Sequence, residues 1–135
     1  MSENSPGGDP PDSLVAAQRA KVWSTPPNVP LCALDAIPEP GARNFVLQIG
    51  EAYFHGFVVR KDGAVRGYVD RCPHMGVPLA QALDRYLTSD ADLIMCGWHG
   101  ALFTIDDGLC VGGPCVGQRL RPWPLEVRDG ILRTA

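Results

Sequence analysis

From Val29 onward, apolar residues fall in short runs broken by Pro, Gly and Asp, the rhythm of strands rather than helices. Leu31–Leu34, Phe45–Ile49 and Phe54–Arg60 are predicted strands, separated by Ile37-Pro38-Glu39-Pro40-Gly41 and Gly50-Glu51. Lys61-Asp62-Gly63 turns Phe54–Arg60 back onto Ala64–Val69, with Asp-Gly supplying the positive φ of a tight hairpin turn. Leu93–Met95 is a further short strand, leading directly into Cys96. The same logic pairs Ala101–Ile105 with Leu109–Val111 about Asp106-Asp107-Gly108, and Leu125–Val127 with Ile131–Arg133 about Arg128-Asp129-Gly130. Many short strands with no βαβ alternation and no internal repeat predict an all-β antiparallel sandwich or barrel. The start of the chain is different. Residues 1–12 are rich in Ser, Gly, Pro and Asp and read as a disordered tail. Asp12-Ser13 could cap a short helix over Leu14–Val22, which Pro26-Pro27 would end.

At 135 residues the chain has room for one domain and not for a second catalytic one. Its formal charge is −3, and no Lys/Arg-rich run gives nucleic acid an electrostatic footing. Such a mildly acidic surface would suit docking to a basic patch on a partner, although acidity also serves plain solubility. No signal-like segment opens the chain and no apolar stretch is long enough to span a bilayer, so a soluble, cytoplasmic protein without membrane contact is expected.

The chemistry sits in two loops. Cys72-Pro73-His74 precedes Met75-Gly76, and Cys96-Gly97-Trp98-His99 precedes Gly100. A single Cys or His on an apolar segment is usually a packed core residue. Packing gives no reason for two matched Cys-plus-His pairs flanked by Pro and Gly, so Cys72, His74, Cys96 and His99 read as a four-ligand metal site. Two Cys and two His also suit structural zinc, but zinc sites usually group Cys with Cys and His with His. Here each loop supplies one of each, as two neighbouring irons of different ligation would require. Cys32, Cys110 and Cys115 remain, an odd number that argues against a disulfide framework. Cys110 and Cys115, in the Gly/Pro loop Gly108 to Gly117, are expected near the metal as structural thiols.

The double motif resembles the Rieske [2Fe–2S] family, over roughly residues 29–134. That resemblance implies one [2Fe–2S] cluster, with Cys72 and Cys96 on one iron and His74 and His99 on the other. It also implies a base of antiparallel sheets formed by residues 29–69 and 115–134. A cluster-binding subdomain over about 70–104 would be inserted into it, leaving residues 1–28 as an extension. Within the family the loops look most like those of Rieske-type ferredoxins and ring-hydroxylating oxygenases, and unlike membrane-anchored respiratory subunits. Trp98 could dock a partner or shield the cluster from water, and Trp123 carries the same ambiguity.

An oxygenase centre of its own would need two His and a carboxylate on a further iron. Only His55 is left, on a predicted strand, where a half-buried structural role is expected. There is no nucleotide-binding glycine fingerprint either. The expectation is therefore an electron carrier rather than an enzyme, served by a ferredoxin reductase and delivering to a terminal oxygenase. Three alternatives stay open: a small Rieske subunit of a reductase such as nitrite reductase, a zinc-stabilised binding module, and a sensor whose cluster loss alters partner binding.

With two thiolates the oxidised cluster would be neutral, which makes adding an electron easier than with four. High-potential members further stabilise the reduced state with a Ser and a Tyr after the second His. The matching positions here are Ala101 and Phe103, which have no hydroxyl. Nor does either ligand loop carry the extra Cys that forms a disulfide in those members. A potential near the low end of the family, roughly −150 mV, is predicted. Redox titration followed by electron paramagnetic resonance measures it, and a value above about +100 mV would contradict the reading.

Overall fold

In the computed structural model, residues 21–73 and 76–135 are described. Ten strands make up almost all of the regular structure in them: β1 Lys21–Val22, β2 Pro30–Ala33, β3 Gly41–Ile49, β4 Ala52–Lys61, β5 Ala64–Val69, β6 Leu93–Met95, β7 Leu102–Thr104, β8 Cys110–Gly112, β9 Leu125–Arg128 and β10 Ile131–Thr134. One 3-10 turn, Leu34–Ala36, follows β2. The all-β expectation holds, with antiparallel pairing throughout except that β1 runs parallel to β4. The tail and most of the expected helix lie outside the described residues. Its last two residues, Lys21 and Val22, are strand instead, pairing with Tyr53 and Phe54.

The strands form three sheets, and among the described residues none closes into a barrel. The first places β3 along one edge of β4, with β1 and β5 sharing the other. The second has the order β2-β10-β9 and the third β6-β7-β8. Turn chemistry sets these hairpins as predicted: Asp62 and Gly63, and Asp129 and Gly130, all adopt positive φ.

Strand β4 explains the layering. Phe54 and Val58, two pleats apart, face a core with Ile37, Phe45, Val69, Trp123 and Leu132. Phe57 and Val59, on the opposite face, join Tyr68, Tyr86, Ile94, Phe103, Leu120 and four cysteines in a second core. The first sheet is thus a middle layer, with β2-β10-β9 on one side and β6-β7-β8 on the other. Burial on both faces accounts for the near-continuous apolar run Phe54–Val59 in place of simple alternation. The third sheet and the loops before it occupy the chain between β5 and β9, and reach as far as β8. After β8 the chain returns to the middle layer: Val69 N–H donates to Arg121 O and Trp123 N–H to Gly67 O, both at 2.9 Å. Among the described residues, no helix is long and apolar enough to cross a membrane.

Close backbone approach at this seam requires a glycine. A Cβ on Gly67 would lie 2.7 Å from Trp123 O and 2.5 Å from Leu125 Cδ1, and the carbonyl cannot yield as a side-chain tip could. Gly67→Ala should therefore destabilise the protein by about 1–3 kcal/mol. A lowered urea midpoint at unchanged m-value is the expected reading, and an unchanged midpoint would show that the seam adapts.

Candidate metal centre

The two motif loops are held by the same backbone device. In the first, which follows β5, Cys72 N–H donates to Val77 O at 2.8 Å and Gly76 N–H donates to Cys72 O at 2.7 Å. In the second, joining β6 to β7, Cys96 N–H donates to Ala101 O at 2.8 Å and Gly100 N–H to Cys96 O at 3.0 Å. Each Cys thus closes a turn with the residues four and five positions on. The turn is completed by a glycine with φ near +70°, at +71° for Gly76 and +72° for Gly100. A Cβ on Gly100 would meet nothing within 4 Å, so it is the left-handed backbone, not crowding, that calls for glycine there. The shared closing bonds and glycine conformation give the paired motif a structural counterpart.

The loops are also tied to each other. Gly97 N–H donates to Leu79 O at 2.8 Å, and the Trp98 indole N–H donates to Pro78 O at 2.7 Å. Trp98 is half exposed, and its ordered role is to clasp the second loop to the first. Trp123, the other aromatic in question, is buried in the core remote from the loops, beside Phe45 and Phe54. A third loop, after β8, packs on the second: a Cβ on Gly113 would lie 2.8 Å from Ala101 Cα.

The sulfurs lie inside and the imidazole outside. Cys72 and Cys96 are 1% and 0% exposed, in one core with Ala101 and Phe103, whereas His99 is exposed. His74 lies outside the described residues. The donor set in view, two buried thiols and a surface imidazole on matched glycine turns, fits a group that needs sulfur on its inner side and nitrogen on its outer side.

Cys110 and Cys115 share that core, as the sequence led us to expect. Cys115 Sγ donates to Cys110 Sγ at 3.1 Å, and Cys110 Sγ in turn lies 3.1 Å from Gly112 O. Burial, then the Cys110 hydrogen bond and the nearby sulfurs of Cys110, Cys72 and Cys96, push the Cys115 thiol up to about 12. It stays a neutral thiol. Cys32 is remote from this group, half-buried on β2, with burial raising its pKa.

His55 is half-buried on β4, as predicted, and its Nε2 is buried without a hydrogen-bond partner. Burial pushes its pKa down, with the Lys21 charge acting in the same direction and Asp70 opposing, so the imidazole is neutral.

One residue the motif search did not single out is Asp70, two positions before Cys72. Its backbone N–H extends the β4–β5 ladder by donating to His55 O at 2.9 Å. Its buried carboxylate accepts from Leu79 N–H at 2.9 Å, from the Tyr86 hydroxyl at 2.8 Å and from Asn44 Nδ2 at 3.3 Å. Leu79 ends the first ligand loop, so Asp70 clamps that loop shut at its base. Burial raises the carboxyl pKa, and the three donors oppose it. No spacing rule marks such an Asp in advance; only its place immediately before the loop could have drawn attention. Asp70→Ala would strand Leu79 N–H and the Tyr86 hydroxyl, each at about 1–3 kcal/mol, while Asn44 Nδ2 keeps its bond to Tyr86 Oη at 2.8 Å, and should cost roughly 2 kcal/mol or more in total. Thermal melting checks the stability and visible absorbance checks cofactor retention; wild-type values in both would remove the clamp from the account.

The family model for the Rieske [2Fe-2S] domain matches residues 28–127. Among solved structures, a chain of the complex of reduced oxygenase and oxidized ferredoxin in carbazole 1,9a-dioxygenase is 24% identical, with TM-score 0.64 over 79% of this chain and 100% of that one. The ferredoxin of carbazole 1,9a-dioxygenase from Nocardioides aromaticivorans IC177 is 19% identical, with TM-score 0.63 over 82% and 98%. A chain of the reduced complex between oxygenase and ferredoxin in carbazole 1,9a-dioxygenase is 22% identical, with TM-score 0.68. Here 83% of this chain aligns with only 29% of the other. No curated protein matches. The identities among the structures establish a shared fold, and the family model, covering most of the sequence, establishes that this chain belongs to the Rieske [2Fe-2S] domain family.

Proposed function

We propose that this protein is a soluble, cytoplasmic Rieske-type ferredoxin that carries single electrons from a ferredoxin reductase to a terminal, ring-hydroxylating oxygenase. The observation that carries the reading is the pair of equivalent Cys-Gly turns, clasped together and presenting buried sulfur within and His99 at the surface. Cys72 and Cys96 would hold one iron as thiolates, and His74 and His99 the other as neutral imidazoles. When bound, the [2Fe–2S] cluster takes up and gives back one electron at a time. The unit that binds it would be residues 70–104, set into the antiparallel base, with residues 1–28 as an extension.

The chain's own residues divide the work. Burial of Cys72 and Cys96 keeps water from the sulfur side, while exposure of His99 leaves a short path from imidazole to a docked partner. Asp70 fixes the spacing of the first loop, and the Trp98 clasp fixes the second against it. Ala101 and Phe103, both fully buried, offer no hydroxyl to the cluster, in keeping with a low-potential carrier. His55 alone cannot build a separate oxygen-activating iron site. The likeness to a carbazole dioxygenase ferredoxin, which spans nearly all of that protein, supports a carrier rather than an oxygenase.

Substitution at the ligands tests the assignment. Cys72→Ala or Cys96→Ala should abolish the visible absorbance and the reduced-state electron paramagnetic resonance signal, because ligation free energy is folding free energy for these loops. His99→Cys, if the cluster survives, should lower the potential by adding negative charge. A Cys72→Ala protein that keeps its visible spectrum, or a wild-type protein that holds zinc with no iron or acid-labile sulfide, would overturn the reading.

A further inference from the structure

Although the chain is acidic overall, cations gather beside the first ligand loop. A depression of about 280 Å³ beside the first ligand loop is lined by Trp23, Val69, Arg71, Cys72, Pro73, Gly76, Arg119 and Arg121. Among the described residues that line it, three carry guanidinium groups and none a carboxylate. The folding reasons are local. Arg119 and Arg121 flank buried Leu120 on an extended segment hydrogen-bonded to Val69, so alternation turns both outward on one face. Arg71 lies over the Trp23 ring at 4.9 Å, a stacked geometry that holds the guanidinium in place. Among the described residues, none of the ion pairs involves Arg71, Arg119 or Arg121, whereas Arg60, Lys61, Arg66 and Arg128 each have a carboxylate partner.

The balancing acid lies elsewhere. Asp62, Asp92, Asp106 and Asp107 line a second depression with Lys61, at the turn ends of β4–β5 and β7–β8. Strands β5 and β6 run from that end toward Cys72 and Cys96, and Arg119 spans the interval, lining a third depression with Arg66, Asp106 and Asp107 as well as the one beside Cys72. The basic depression is the one next to a proposed cluster ligand.

We propose that Arg71, Arg119 and Arg121, with Trp23 as their platform, form the docking surface on which a redox partner protein seats a carboxylate-rich patch. The occupant follows from the chemistry. Three planar, exposed guanidinium groups, with no ion pair among the described residues, match the geometry of several carboxylates at once. Lone small anions gain little from so open and solvated a depression. With Asp62 and Asp92 at the ends of β5 and β6 that lie away from Cys72, the positive charge around Arg71 would orient the approaching partner cluster-side first. The proposal rests on the electron-carrier reading, and the test separates the two.

Short poly-L-glutamate peptide stands in for the partner patch. Isothermal titration at low salt should show that it binds the holoprotein, and that the Arg71→Gln, Arg119→Gln, Arg121→Gln triple variant loses roughly tenfold in affinity. Free glutamate at equal carboxylate concentration should not bind. An Arg85→Gln, Arg128→Gln double variant, altered at exposed positions that line none of these depressions, should bind like wild type. In stopped flow, the peptide should slow oxidation of the dithionite-reduced protein by hexacyanoferrate(III), and do so less in the triple variant. Equal binding by the triple variant, equal loss in the double variant, or equal binding of free glutamate would each overturn the docking surface. A protein that takes no electron from dithionite would refute the carrier reading, and the titration would still decide whether the arginines recognise carboxylates. All three arginines are exposed, so the variants should fold.

Discussion

Asp70 is the constraint from which the arrangement of the site follows. A buried carboxylate is costly to desolvate, and only a group with several acceptor positions can take three donors from three segments. Asn44 comes from β3, Tyr86 from the chain entering the third sheet, and Leu79 from the end of the first ligand loop. The position of the loop is thereby referred to the middle sheet. Leu79 O then receives Gly97 N–H and Pro78 O receives the Trp98 indole, which carries that reference to the second loop. Gly113 packs against Ala101 and extends it to the third.

How much of this was readable from the chain divides along physical lines. Hairpins were legible because Asp62-Gly63 and Asp129-Gly130 encode their turns within a few residues. The proposed ligands were legible because Cys and His in matched loops have few other reasons to coexist. What depends on tertiary contact was not. Phe54–Val59 reads as one apolar strand, and nothing in it announces that alternate residues serve two different cores. The pairing of Lys21–Val22 with Tyr53 and Phe54 is likewise long-range; a segment with good helix formers before it became an edge strand because β4 offered an unpaired ladder. Asp70 gains its meaning only from Asn44 and Tyr86, neither adjacent to it in sequence.

The cysteines lie between these two cases. Their Gly/Pro loop led to the expectation that Cys110 and Cys115 lie near the metal, but not to the contacts they make there. The fold places them in the same core as Cys72 and Cys96, with their sulfurs 3.1 Å apart. The i, i+5 spacing is closed by backbone bonds, Gly117 N–H to Cys110 O and Gln118 N–H to Cys115 O. Both thiols are therefore part of the wall behind the second ligand loop. Raising the pKa of Cys115 has a consequence for charge: a thiol that stays protonated adds no negative charge to a site where two thiolates are already expected.

Net charge proved the least informative quantity. A value of −3 suggests an acidic surface looking for a basic partner, and the distribution points the other way where it counts. Arg71 lies 48 positions before Arg119, and no window along the chain would have grouped them. They meet because Val69 pairs with the segment that carries Arg121, and that pairing is the same seam that brings Trp123 against Gly67. The contact that closes the base of the fold thus also gathers the cations at the ligand loop. Charge recognition and folding are coupled here through one strand junction, so a substitution that loosened the seam would be expected to blur the basic face as well as weaken the domain.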